Sequence, residues 1–177
     1  MTKKPKKGAI PQKDTKQTNS ESAPHKEAET PLTVSAQYVK DISFENPSPL
    51  SNIMGNAENP SISIQINAQA HNITERTFEV SLHIQVDAKR KEGSVFLLEL
   101  DYAGAFTIGK EVPEEYLRPI LMIECPRILF PFARNVVATT IQEGGYPALF
   151  LTPVDFVALY QQQVAQEKAQ SSNTTPA

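Results

Sequence analysis

Residues 77–88 alternate without a break: Phe78, Val80, Leu82, Ile84, Val86 and Ala88 against Thr77, Glu79, Ser81, His83, Gln85 and Asp87. A period of two sends the sets to opposite sides of a strand, so this segment demands a sheet with one buried face. Three other segments carry the same signal. In 33–44 the apolar set is Val34, Ala36, Tyr38, Ile42 and Phe44, with Lys40 breaking the rule. Residues 61–66 contribute Ile62, Ile64 and Ile66, and 94–103 contribute Phe96, Leu98, Leu100 and Tyr102. The polar link Lys89 to Gly93 between the last two strands reads as a hairpin. The stretch 45–60 is rich in Pro and Asn and reads as a loop, yet it holds Leu50, Ile53 and Met54.

Past Glu111 the period changes. Val112-Pro113-Glu114-Glu115 places a proline in a first helical turn and carboxylates at the positive end of the dipole. Pro126 is expected to break or kink this helix, because it lacks the donor and its ring crowds the preceding turn. A second piece, roughly 127–142, ends before Gly144 and Gly145. A final helix is expected from Thr152 as N-cap, Pro153 at N1 and Asp155 at N3, with the stripe Val157, Tyr160 and Val164. Strands first and helices after predicts an α+β fold, with helices on one face of an antiparallel sheet. The broken helix is apolar on every side, from Tyr116 and Leu117 to Val137 and Ile141. One sheet covers one side, so a second cover from another subunit is expected.

Three domains follow. Residues 1–32 hold seven lysines against four acids and almost no large apolar side chain, and read as a disordered Lys-rich tail. Residues 33–165 form the folded unit, and 166–177 read as a second disordered tail. The net charge is -3, so the rest of the chain is distinctly acidic and a poor match for nucleic acid, whose phosphates need neutralising. Cys125 is the only cysteine, which removes any internal disulfide or thiolate cluster and favours a reducing compartment. The basic N-terminus has no apolar run after it, and the most apolar stretch, Pro119 to Val137, is interrupted by Glu124, Arg127 and Arg134. The expectation is a soluble cytoplasmic protein without membrane insertion.

Gly104 to Lys110 matches G-x-x-x-x-G-K, which would make the chain a nucleotide-binding enzyme. Glu111 stands where a phosphate loop needs Ser or Thr, and Pro113 delays the helix, so a strand end and turn is the better reading. His25, His71 and His83 are spaced like no familiar metal site, and Cys125 has no evident base beside it. No catalytic residue, metal or cofactor is assigned. Asp41, Ser43 and Glu45 share one strand face, and Leu97, Glu99 and Asp101 share another. Both are opposite the apolar sets, so one sheet would carry acids around Leu97 on its outer face. Such a patch suits a basic partner.

Four stretches resemble the SecB family of export chaperones: Lys40-Asp41-Ile42-Ser43-Phe44-Glu45, Phe96-Leu97-Leu98-Glu99-Leu100, Cys125-Pro126-Arg127-Ile128-Leu129-Phe130-Pro131-Phe132-Ala133-Arg134, and Pro153-Val154-Asp155-Phe156. The resemblance runs through most of 33–160. It implies a four-stranded antiparallel sheet with a long interrupted helix and a C-terminal helix, assembled as a homotetramer, a dimer of dimers. It implies an ATP-independent holdase that keeps unfolded preproteins translocation-competent and delivers them to the SecA motor ATPase. On that footing Asp41, Glu45, Leu97 and Glu99 would bind SecA, and Leu98, Leu100 and Tyr102 would support the oligomer interface. Ile53, Met54, Phe130, Phe132 and Tyr146 are the expected client contacts. A SecB-like protein paired with a toxin–antitoxin system would keep the same fold and serve other clients.

Overall fold

The computed structural model describes residues 31–54, 58–91 and 93–172. Nearly all of the expected N-terminal tail lies outside them. Four strands, β1 (Leu32–Glu45), β2 (Ser61–Asn72), β3 (Thr77–Arg90) and β4 (Gly93–Ile108), form one antiparallel sheet in the order β1-β4-β3-β2. β2, β3 and β4 follow one another through tight turns. β1 lies on the far edge beside β4, so the connection to β2, with the short helix α1 (Pro49–Met54), crosses the width of the sheet.

The alternation in β3 and β4 is realised as expected. Leu82, Ile84, Val86, Leu98 and Leu100 are fully buried on one side, in the rows Ile84–Leu100 and Val86–Leu98. β1 departs from simple alternation. Its register against β4 slips between Val34 and Ala36 and again between Val39 and Asp41. Each bulge inserts one residue and reverses the phase. Between the bulges Gln37 and Val39 pair with Gly104 and Tyr102 on the helix side, and Ala36 and Tyr38 turn outward. Tyr38, expected inside, instead donates to Glu79 Oε2 at 2.5 Å on the outer face. Lys40, the exception to the pattern, is the second bulge residue and also pairs with Glu79.

The helical half is α2 (Glu114–Pro119), a π turn at Ile120–Glu124, α3 (Cys125–Glu143) and α4 (Phe156–Ser172). The interruption expected at Pro126 takes the form of a π turn just before it, with α3 starting at Cys125. The backbone stays right-handed helical from Pro119 through Cys125, whose N–H bonds to the Ile120 carbonyl five residues back. The widened turn makes room for the Pro126 ring at a point where the hydrogen-bond ladder is already shifting register. Cys125, Leu129, Ala133, Val137 and Ile141 then form the line that α3 buries on the sheet. Gly104 makes the close approach possible, since a Cβ there would stand 2.9 Å from Leu129 Cδ2 and 3.0 Å from the Ala36 carbonyl. Gly104 to Ile108 is strand, so the G-x-x-x-x-G-K match is no phosphate loop.

Two sequence expectations shift at α4. Asp155, not Thr152, caps it, accepting the Val157 and Ala158 N–H groups at 3.0 and 3.1 Å. Phe156 and Leu159 meet the core, while Val157, Tyr160 and Val164 are half-buried. The helix runs to Ser172, so residues 166–172, expected to be tail, are helical, and 173–177 lie outside the described residues.

Candidate functional site

On the outer face of the sheet, three strands bring three rows into register. His83, Asp101 and Asp41 form the first row, Gln85, Glu99 and Ser43 the second, and Asp87, Leu97 and Glu45 the third. Strands stand about 4.8 Å apart and alternate residues repeat every ~6.8 Å, so the nine side chains fit a patch of roughly 10 by 14 Å. The expected residues Asp41, Glu45, Leu97 and Glu99 all fall inside it. Asp87 and Asp101 join them from neighbouring positions, and no motif had pointed to β3. Asp101 sits directly opposite Asp41, an arrangement that costs stability and leaves the row strongly negative. Two polar groups from β3 reach the carboxylates: His83 Nδ1 lies 2.8 Å from Asp101 Oδ1, and Gln85 Nε2 donates to Glu99 Oε1 at 3.3 Å. Across the whole face stand six carboxylates, Asp41, Glu45, Glu79, Asp87, Glu99 and Asp101, against Lys40 and Lys89, which pair with Glu79 and Asp87. Lys40 first, then Tyr38, holds the Glu79 carboxyl below its ordinary range.

The helix side carries an apolar cleft. Phe44 meets Phe96 at 5.7 Å between ring centroids, and Phe96 meets Tyr146 at 5.0 Å. The Tyr146 hydroxyl donates to Asn46 Oδ1 at 2.9 Å, and Asn46 Nδ2 donates to the Gly144 carbonyl at 3.1 Å. These contacts fasten the segment after α3 to the start of the crossover connection. Ile53, Ile62, Phe96, Ile141, Tyr146 and Leu149 line a cavity of about 380 Å³, with Asn52 and Arg90 among its polar members. Gly145, at φ +90°, borders it, and a Cβ there would stand 2.5 Å from Ile53 Cδ1. Met54 is 82% exposed, and Leu50, Ile62 and Ile64 are also exposed.

Ile53 and Tyr146 are thus brought together as expected, with Met54 next to Ile53. Phe130 does not belong with them. It is buried in the core, edge-on to Phe156 at 5.8 Å, and presents nothing to a ligand. Phe132, two residues on, points away and is 52% exposed. Sequence reasoning missed Ile62, Phe96 and Leu149 because they come from three separate elements. Leu98, Leu100 and Tyr102 need a correction as well: all three are buried inside the chain's own core, so none offers surface to another subunit. Burial, aided by Glu124, pushes the Cys125 thiol up to about 12, which makes it a packed core group and not a nucleophile. Among the described residues, no group of His, Cys, Asp and Glu is placed to hold a metal, and no helix is long and apolar enough to cross a membrane.

Comparison with known proteins points one way. The family described as preprotein translocase subunit SecB matches residues 25–167. A protein-export protein SecB from Rhodopseudomonas palustris (strain BisB18) is 47% identical over 161 residues, covering 90% of this chain and 98% of its own. Another, from Bradyrhizobium diazoefficiens, is 48% identical over 153 residues, covering 86% and 94%. Among solved structures, a SecB-like chaperone of Mycobacterium tuberculosis, in complex with an antitoxin peptide, superposes with a TM-score of 0.51. It shares 15% identity over 70% of this chain and 91% of that one, a likeness of fold.

Proposed function

The chain belongs to the SecB family, and from that premise we propose that it is an ATP-independent export chaperone, holding unfolded secretory precursors and delivering them to the SecA motor ATPase. The observation that carries the reading is the division of labour between the two sides of one sheet. Apolar surface for clients, at Ile53, Met54, Ile62 and Tyr146, lies on the helix side. The acidic lattice of Asp41, Glu45, Leu97 and Glu99 lies on the other, so client and motor need not compete for space. Exposed Met and Ile side chains bind apolar segments without reading their order, and Met54 adapts its shape to each. Phe132 adds a further apolar contact, either to client or to a neighbouring subunit. Asp87 and Asp101 extend the acidic face beyond the residues of the family motif.

The activity needs no bond-making step and no cofactor, and it belongs in the cytoplasm, where precursors await export. Assembly as a dimer of dimers would cover Tyr116, Phe132, Val39 and Ile42, all exposed in the single chain. A magnitude limits the mechanism. A holdase at 100 times its Kd shifts a client's stability by about 2.7 kcal/mol, less than the ~5–15 kcal/mol of a finished fold. Capture therefore has to precede folding, and slow-folding precursors are the clients.

Light scattering on a sizing column, with a urea-unfolded precursor and no nucleotide, tests this. A tetramer-sized species that takes up the precursor and then binds SecA is expected. A monomer that ignores the precursor would overturn both the assembly and the activity.

A further inference from the structure

We propose that the acidic outer face has an occupant in this chain itself: the basic half of the N-terminal tail, Lys3 to Lys16, lies on the carboxylate lattice and is displaced by the cationic partner that docks there. The displacement rests on the outer face being the SecA-docking surface; the contact does not. Two features of the chain meet there. The first is uncompensated charge. Asp41 and Asp101 stand directly opposite each other, and among the described residues no lysine or arginine pairs with either of them, or with Glu45 or Glu99. Like charges facing each other across strands are destabilising, so the face gains from a cation brought to it. The second is the polarity of the tail. Lys3, Lys4, Lys6, Lys7, Lys13 and Lys16 precede residue 17 with Asp14 as the single acid among them, whereas residues 17–30 hold Lys26 against Glu21, Glu27 and Glu29. The basic half also precedes residue 25, where the match to the family begins, so it is a feature of this chain and not of the family pattern.

Chain length selects the same half. β1 begins at Leu32 opposite Ile108, and the Gly109 N–H donates to the Pro31 carbonyl at 3.1 Å, so the tail leaves from a fixed point beside the end of β4. From Ile108 to Asp101 and to Leu97 is seven and eleven residues of strand, about 23 and 36 Å. Lys26 stands six residues before Leu32 and spans at most about 20–22 Å, short of the first acidic row. Lys16 and Lys3 stand 16 and 29 residues before it. A coil of those lengths has a root-mean-square span of about 20–32 Å, which matches the distance to the patch. The acidic inner half, repelled by the face, is then the spacer. A segment with a Kd of about 0.1–1 mM, tethered at an effective concentration of about 1 mM, lowers a competitor's apparent affinity about two- to tenfold. Salt weakens the tail contact and closes that gap. The apolar cleft on the other side of the sheet is unaffected.

The test begins with the full chain alone, its lysines coupled to carboxylates by a zero-length carbodiimide and the products mapped by mass spectrometry. Links from Lys3 to Lys16 onto Asp41, Glu45, Glu99 or Asp101 are expected at about 50 mM salt, and their loss at about 0.5 M. Links that run instead to Glu114, Glu115 or Glu143 on the helices, or no links at all, overturn the contact. A variant carrying Lys3→Gln, Lys4→Gln, Lys6→Gln and Lys7→Gln then measures the displacement by calorimetry with SecA. It should bind two- to tenfold more tightly than the natural chain at low salt and equally at high salt, with client-peptide binding the same in both. Equal affinity at low salt overturns the displacement. Glu99→Lys in the natural chain tells that failure from failure of the docking reading. Its loss of SecA affinity beside a silent lysine variant sinks only the displacement by the tail. An unchanged affinity in Glu99→Lys sinks the docking surface and the displacement together, and the links alone then decide the contact.

Discussion

Glu99→Lys is the perturbation that best separates docking from folding, because the lattice predicts opposite effects on the two. Glu99 sits at the centre of the patch. Asp101 is two residues away along β4, at ~6.8 Å, and Asp41, Glu45 and Asp87 occupy the diagonal positions of the lattice, at roughly 7–8 Å. A pair of unit charges at 7 Å in water interacts by about 0.6 kcal/mol, and a Debye length of ~8 Å reduces that to about 0.25. Reversing the sign at the centre changes each of four repulsions into an attraction, about 2 kcal/mol in favour of the fold. Losing the hydrogen bond from Gln85 returns about 0.5–1.5 kcal/mol of that. The variant should unfold in urea with a stability about 0.5–1.5 kcal/mol higher. Its affinity for SecA should drop tenfold or more, about 1.4 kcal/mol, since a desolvated charge contact is lost and a repulsion replaces it. Urea melts followed by fluorescence give the first number and calorimetry the second. A variant destabilised by more than about 1 kcal/mol would refute the lattice arithmetic. One that is stable and still binds SecA normally would show that docking happens elsewhere.

Phe130→Ala should cost about 3–5 kcal/mol in urea unfolding, because it empties a buried site against Phe156, whereas Phe132→Ala should leave the stability of the single chain within about 1 kcal/mol and act on client uptake or subunit mass. Gly145→Val should destabilise by at least about 1–2 kcal/mol, since φ is +90° and the new side chain meets Ile53. The same change should weaken peptide capture in a fluorescence titration, and a variant that bound peptide normally would remove the cleft from the client site. Cys125 should resist thiol reagents at pH 8 in the native state and react only on unfolding. Its raised pKa also gives a direction: the folded state holds the proton more tightly than the unfolded chain, whose thiol titrates near 9.0, so stability falls as pH rises from about 9 towards about 12.

The residues of the acidic patch were legible early because they are local facts. Asp41 and Glu45 share a face by strand geometry alone, as do Leu97 and Glu99, and the family motif joins the two pairs. The hairpin link Lys89 to Gly93 paired β3 with β4, but nothing local placed β1 on the other side of β4. That comes from the order β1-β4-β3-β2, whose register lines His83, Gln85 and Asp87 up with the acids of β4 and β1. Tyr38 misled for a similar reason. Two bulges against β4 reverse its side, and a bulge is a property of the partner strand's register as much as of the sequence that carries it. Phe130 and Phe132 look alike in the sequence, yet a two-residue step turns a side chain by about 200° around a helix. Only the position of α3 on the sheet says which one is inside.

The sequence by itself determined the strands of β3 and β4, the change of period after Glu111 and the helix start near Pro113, and its motifs pointed to the family to which the chain belongs. The elements rest on periodicity or spacing within a dozen residues, where backbone geometry is decisive, and the family rests on the resemblance of four stretches. The tertiary structure alone decided the bulges of β1, the π geometry of the interruption before Pro126, and the burial of Leu98, Leu100 and Tyr102 within one chain. It also assembled the cleft, where Ile53, Ile62, Phe96 and Tyr146 meet from four parts of the chain. Such contacts depend on which elements pack together, and packing is settled by the sum of all buried surfaces rather than by any one segment.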